Sequence, residues 1–274
     1  MNEIKKSDAL ASMQASIQKQ NQAADLNKYL QSDAVMNRLQ KLVGENAEQW
    51  VSTILHVANS NSLLRQCDPK TIIGAAVQAI ALRLPIEQTL GYAYIVPYGG
   101  KAQFQIGYKG LIQLALRSGQ YKTINVCTVL DGQLVSHHLL SGEIELQSER
   151  ASDKVVGYAA YIELINGFKK ALYMTREEVE AHAKRFSKMY GKADSLWSKD
   201  FDGMAQKTVL KRLLSKYGLL SVDMQRAIKY DQAVIPTPES DDDIIYIDNP
   251  ENENANEAGN RISSLFDEQN KNNQ

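Results

Sequence analysis

Only two cysteines, Cys67 and Cys127, occur in the 274 residues. That is too few for a disulfide framework and fits a reducing compartment. No run of 18 apolar residues is present, which argues against a membrane-spanning helix. Residues 1–24 are rich in Lys, Gln, Ser and Asn and lack the apolar segment of a secretory signal. A soluble, cytoplasmic protein is therefore expected. The four histidines, His56, His137, His138 and His182, are scattered without the Cys or carboxylate spacing of a zinc site. A Walker-type phosphate loop is also missing, because Gly99-Gly100-Lys101-Ala102 has neither its spacing nor its terminal hydroxyl. The only Glu-x-Lys, Glu3-Ile4-Lys5, lies near the start of the chain, where it cannot join a carboxylate pair on adjoining strands. These absences lead to the expectation of no catalytic residue, no metal and no cofactor.

Net charge is also nearly absent, at −1, but it is unevenly spread. From Asp231 onward 11 acidic residues face only Arg261 and Lys271, a net of −9, which leaves a body of +8 up to Tyr230. A basic body is a plausible polyanion binder. The tail reads equally as a solubilising or competing polyanion and as a plain solvated end. Without an internal repeat, one large domain with tails is the simplest division. It comprises a polar arm over 1–25, a core over 26–230, and an acidic linker with a C-terminal segment over 231–274. On that division a fragment ending at Tyr230 is expected to fold.

The informative stretch runs from Leu84 to Lys122. Tyr92, Tyr94 and Val96 alternate with Ala93 and Ile95, Tyr98-Gly99-Gly100-Lys101 reverses the chain, and Ala102 to Ile106 returns, which predicts a hairpin. From Gly107 the period changes to that of a helix. Leu111, Ile112, Leu114, Ala115 and Leu116 form an apolar arc, with Lys109, Gln113 and Arg117 opposite. A row of donors beside a tyrosine-bearing sheet suits a phosphate backbone, although residue types alone favour an ordinary solvated face.

Before this block, helices are predicted over Ala34–Val43, Glu45–Asn59 and Lys70–Leu84, the last opened by Asp68-Pro69. After it come strands over Thr123–Val129, Gln133–Leu140, Glu143–Gln147 and Val155–Ile165, then the Asn166-Gly167 turn and a return through Phe168–Met174. Thr175-Arg176-Glu177-Glu178 is a capping box. Lys188–Asp200 reads as loop. Asp202–Tyr217 is a second basic helix, with Lys207, Lys211, Arg212 and Lys216 projected away from Val209, Leu210, Leu213 and Leu214, and with Gly218 closing it. Four cations without an intervening acid repel by a few tenths of a kcal/mol per close pair, so an external anion is expected to compensate. The overall expectation is an α+β fold, an antiparallel sheet packed with helices.

The block LPIEQTLGYAYIVPYGGKAQFQIGYKGLIQLALRSGQYKTINV closely resembles the signature region of the RecT family of phage single-strand annealing proteins. The resemblance continues through Lys154-Val155-Val156-Gly157-Tyr158, Leu164-Ile165-Asn166-Gly167-Phe168 and Met204-Ala205-Gln206-Lys207-Thr208-Val209-Leu210, covering about Leu26 to Met224. It implies ATP-independent binding of single-stranded DNA, annealing of complementary strands to duplex, and assembly into rings or helical filaments in a bacterial host. With that frame, the residues expected at DNA are Lys101, Gln103, Gln105, Tyr108, Lys109, Arg117, Lys122, Lys207, Lys211, Arg212 and Lys216. Arg and Lys would meet phosphate, Gln the sugar or base edge, and Tyr would stack. Near the C-terminus Ile262, Leu265 and Phe266 fall at i, i+3 and i+4. This family's C-terminal region implies docking of a host single-strand-binding protein or a partner exonuclease. The rival readings are a self-assembling structural or adaptor protein and a nuclease with an unrecognised site.

Overall fold

The computed structural model describes residues 25–193, 195–236 and 244–246. The N-terminal arm with Leu10, Met13 and Ile17, the acidic triplet Asp241–Asp243, and Ile262, Leu265 and Phe266 lie outside these residues. The fold is α+β with antiparallel strand pairing. The chain divides into two compact units, one of residues 1–106 and 229–245 and one of residues 107–228 and 246–274.

The first unit begins with α1, described over residues 25–30, followed by α2 (Asp33–Val43), α3 (Ala47–Ser60) and α4 (Pro69–Ala81). Asp68 caps α4 by accepting from Lys70 N–H at 3.0 Å, with Pro69 at the first helical position, as the dipeptide predicts. Every residue from Thr71 to Ile80 is buried, so α4 is the central helix of this unit rather than an amphipathic surface helix. It packs on the hairpin of β1 (Ala93–Tyr98) and β2 (Lys101–Ile106). Gly99 and Gly100 at the turn have φ of 54° and 76°, the paired left-handed conformations that a two-residue hairpin turn requires. The hairpin face toward the core carries Ala93, Ile95, Ala102, Phe104 and Ile106, all buried. Tyr94, Val96 and Tyr98 lie on the other face and are half-buried.

The hairpin gains a third neighbour from far along the chain. Phe104 N–H donates to Ala233 O at 2.9 Å, Gln232 N–H donates to Phe104 O at 2.8 Å, and the Asp231 carboxylate accepts from Ile106 N–H at 3.1 Å. Ala233, Val234 and Ile235 are buried, and Val234 exchanges backbone hydrogen bonds with Ile245. The core therefore does not stop at Tyr230 as composition suggests. An apolar Ala-Val-Ile run is drawn in as an added strand ahead of the acidic residues. Gly74 on α4 permits this, because a Cβ there would lie 2.4 Å from Ile235 O.

In the second unit β3 (Tyr121–Leu130), β6 (Val155–Leu164) and β7 (Lys169–Thr175) form an antiparallel sheet in the order β3-β6-β7. A smaller hairpin joins β4 (Leu134–His137) to β5 (Ile144–Leu146), shorter than the predicted strands, and carries Leu139 and Leu140 exposed at its tip. Against the sheet lie α6 (Arg176–Phe186) and α8 (Phe201–Tyr217), and α5 (Tyr108–Arg117) packs on α8. The capping box is formed: Glu178 N–H donates to Thr175 Oγ1 at 3.1 Å and Thr175 N–H to Glu178 Oε2 at 2.9 Å. Two sequence expectations are corrected here. The segment before α8 contains a one-turn helix, α7 (Leu196–Lys199), whose Trp197 is buried against Tyr190 and Phe201. Gly218 is not a left-handed cap: its φ is −79°, and its lack of a Cβ serves close approach to Leu214 O and the Tyr121 hydroxyl. The last helix, α9 (Val222–Tyr230), follows a loop tied down by Leu219 N–H donating to that hydroxyl at 2.8 Å.

Candidate nucleic-acid interface

Within the first unit, Lys101 is half-buried at the turn while Gln103 and Gln105 are buried. Sequence alternation places both amides on the open face of the hairpin. The structure corrects this, because β2 is the middle strand between β1 and residues 232–234 and is covered on both faces. Among the described residues the Gln103 side-chain nitrogen and oxygen and the Gln105 side-chain oxygen have no hydrogen-bond partner. Each such buried orphan costs about 1–3 kcal/mol, so the pair is a polar feature that folding alone does not reward.

The second unit carries the remaining candidates. On α5, Lys109 and Arg117 are exposed and Tyr108 is half-buried, while Leu111, Leu114 and Ala115 of the expected apolar arc are buried, Ile112 is half-buried and Leu116 is exposed, so the buried arc is narrower than the projection gives. Lys122, at the start of β3, is exposed but committed: its Nζ donates to Glu163 Oε1 at 2.8 Å. That hydrogen bond and charge raise the Lys122 pKa and hold the Glu163 carboxyl below the usual carboxylate range. Any phosphate at Lys122 therefore competes with a carboxylate.

On α8, Arg212 and Lys216 are exposed and Lys211 is half-buried, whereas Lys207 is only 5% exposed. The helical projection assigned Lys207 to the polar face. The correction is geometric: α8 is covered by the sheet on one side and by α5 on another, so its buried arc is wider than that of a surface helix and reaches position 207.

Arg212 and Lys216 face a cavity of about 590 Å³ that sequence reasoning did not find. Its other basic groups are Lys170 from β7, His182 and Arg185 from α6, and His137 from β4, with Glu178 as its one carboxylate among the described residues. Arg212 Nη1 lies 3.4 Å from His182 Nδ1. The ammonium groups of Lys170 and Lys216 sit 5.1 and 5.2 Å from the centroid of one ring, Tyr217. Sheet register, which no local pattern discloses, brings Lys170 to this place. Of the remaining histidines, His137 stacks edge-on to Tyr173 at 5.7 Å. Among the described residues no group of three or more His, Cys, Asp or Glu side chains could hold a metal ion. No helix of the described residues is long and apolar enough to cross a membrane.

Two basic helices packed together beside an antiparallel sheet, with no clustered acid–base or metal-binding machinery among the described residues, have the character of a polyanion-binding module. The chain belongs to the RecT family, whose model matches residues 48–246, and at the family level this places it among single-strand annealing recombination proteins. It is 50% identical over 216 residues to uncharacterized protein YqaK of Bacillus subtilis (strain 168), covering 78% of this chain and 75% of that one. It is also 32% identical over 179 residues to Protein RecT of Escherichia coli (strain K12), covering 62% of this chain and 65% of that protein.

Proposed function

We propose that this protein binds single-stranded DNA without ATP, anneals complementary strands, and assembles into rings or filaments that keep neighbouring strand segments in register. The observation that carries the reading is the pairing of α5 and α8, which presents Lys109, Arg117, Lys211, Arg212 and Lys216 at least partly exposed from packed helices of one unit. Cations in that number offset the mutual repulsion of two strands, and base pairing supplies the driving force at about 1.4 kcal/mol per step. No covalent step is required. In the same unit Lys122 adds a cation by exchanging Glu163 for phosphate, and Lys101 offers one on the first unit. Gln103 and Gln105, being buried, do not reach a strand, whereas the half-buried Tyr108 offers a ring for stacking. Lys207, being buried, supports α8 rather than reaching a strand. The C-terminal Ile262, Leu265 and Phe266 are proposed to dock a host single-strand-binding protein or a partner exonuclease, and the site of action is the bacterial cytoplasm.

Annealing of complementary oligonucleotides, measured without nucleotide or metal and with strand lengths checked on a denaturing gel, tests this reading. Affinity for single strands should fall with salt at a log–log slope near −0.7 per phosphate contact, giving roughly −3.5 for the five cations named on α5 and α8. Flat salt dependence, or shortened strands, sinks it.

A further inference from the structure

The cavity beside Arg212 and Lys216 collects more positive charge than a solvated helix face needs. Its basic side chains come from three separate elements: Lys170 from β7, His182 and Arg185 from α6, and Arg212 and Lys216 from α8. Among the described residues Glu178 is the one carboxylate in the lining, and it accepts from Thr175 N–H in the capping box, so cations outnumber carboxylates there. Lys170 is held by donating to the carbonyl of Ser141, and its ammonium and that of Lys216 share the Tyr217 ring. Cations brought to one cavity from three elements create a potential that attracts an anion, and bonds to such an anion are of the strong, charge-assisted kind.

The shape and the walls narrow the anion's chemistry. A volume of about 590 Å³ falls in the range of small-molecule sites and exceeds what a bare phosphate fills. Tyr173, Phe186 and Tyr217 line it, rings against which a base can pack. A phosphodiester within a strand carries one charge and two free oxygens. A phosphomonoester carries nearly two charges at pH 7 and three free oxygens, which better matches donors arriving from three elements.

We propose that this cavity binds a phosphomonoester carried on a nucleotide, with Lys170, Arg185, Arg212 and Lys216 around the phosphate and the aromatic side chains against the base. The group can come from a strand end or from a free nucleotide. The strand-end source rests on the DNA-binding reading above, since Arg212 and Lys216 are shared with it.

The test uses the full chain and short oligonucleotides that differ only in a 5′-phosphate, or only in a 3′-phosphate, against their hydroxyl counterparts, with the label on the opposite end. A phosphate on one end should tighten binding about tenfold, the worth of a charge-assisted hydrogen bond or two. Lys170→Ala and Arg185→Ala should each reduce that preference to about twofold or less while leaving binding to a closed circular strand, which has no ends, unchanged. Calorimetry with a mononucleotide and with inorganic phosphate separates the sources. Nucleotide binding lost in Lys170→Ala supports the site even if no strand is bound and the annealing reading falls. Phosphorylated and unphosphorylated ends bound equally, together with no nucleotide binding, would overturn it. So would a parallel loss on the circular strand, which assigns the cavity to internal backbone. Circular dichroism of both variants confirms that the fold is retained.

Discussion

Glu163 shows how a single side chain controls whether a cation is available. Its carboxylate holds Lys122 at 2.8 Å, with Lys169 at 3.9 Å and the Tyr161 hydroxyl donating at 3.3 Å. The folded pKa lies below the unfolded one, so its contribution is present above the ordinary carboxylate range and is lost as pH falls through the lowered value. Glu163→Gln should therefore be less stable than the wild type near pH 7, and the difference should narrow at a pH below the ordinary carboxylate range. Urea midpoints at the two pH values check this, and a difference that widens on acidification would refute the assignment. Gly74 makes the second residue-scale point. Gly74→Ala puts a methyl group 2.4 Å from a backbone oxygen that cannot swing aside, and should cost about 1–3 kcal/mol by thermal or denaturant unfolding. Cys67, by contrast, is a quiet residue: burial and the neighbouring Asp68 push its thiol up to about 11 against a backbone hydrogen bond from Tyr98, so little thiolate forms at neutral pH.

Among the elements, α5 and α8 separate the roles of their two faces. Lys109→Ala and Arg117→Ala are expected to leave melting unchanged and to weaken strand binding, because both side chains are exposed. Leu114→Ala or Leu213→Ala should instead destabilise by about 2–5 kcal/mol, since both side chains are fully buried. Binding curves beside melting curves for the four variants distinguish these outcomes. Undiminished binding in both cation variants would leave α5 with a solvated face and no ligand. The helices from α2 to α6 with α8, the caps at Asp68 and Thr175, and the Gly99-Gly100 turn were legible in the sequence because each is decided by local residues, whereas α7 and α9 were not. The Asp68-Pro69 start and the Thr175–Glu178 box formed where the residues put them. Burial of Gln103, Gln105 and Lys207 was not legible, because it depends on a third strand from residues 232–234 and on the double cover of α8, both tertiary facts. The Lys170 end of the cavity was hidden for the same reason.

For the molecule as a whole, family membership follows from motifs spread over most of the chain, whereas the partition into two units does not appear in composition at all. Charge changes sign near Asp231, yet buried structure persists to Ile235. A chain ending at Tyr230 discards Asp231, Val234 and Ile235. It should therefore lose at least about 3 kcal/mol relative to one ending at Tyr246, from apolar burial alone. Equal melting temperatures and equal resistance to limited proteolysis would show that the added strand contributes nothing.

That added strand also sets an order of events at the ribosome. Asp231 meets Ile106 across 125 residues of sequence, and the whole run from Gly107 to Ile228 belongs to the other unit. As the chain is synthesised from its N-terminus, the first unit emerges with β2 lacking one neighbour and must wait with that edge open. The second unit, whose sheet and helices lie between Gly107 and Ile228, can form them in the meantime. The unit that is begun first thus waits on residues made after that run, and translation that stalls before Ala233 leaves an open β-edge on the nascent chain, available to pair with another.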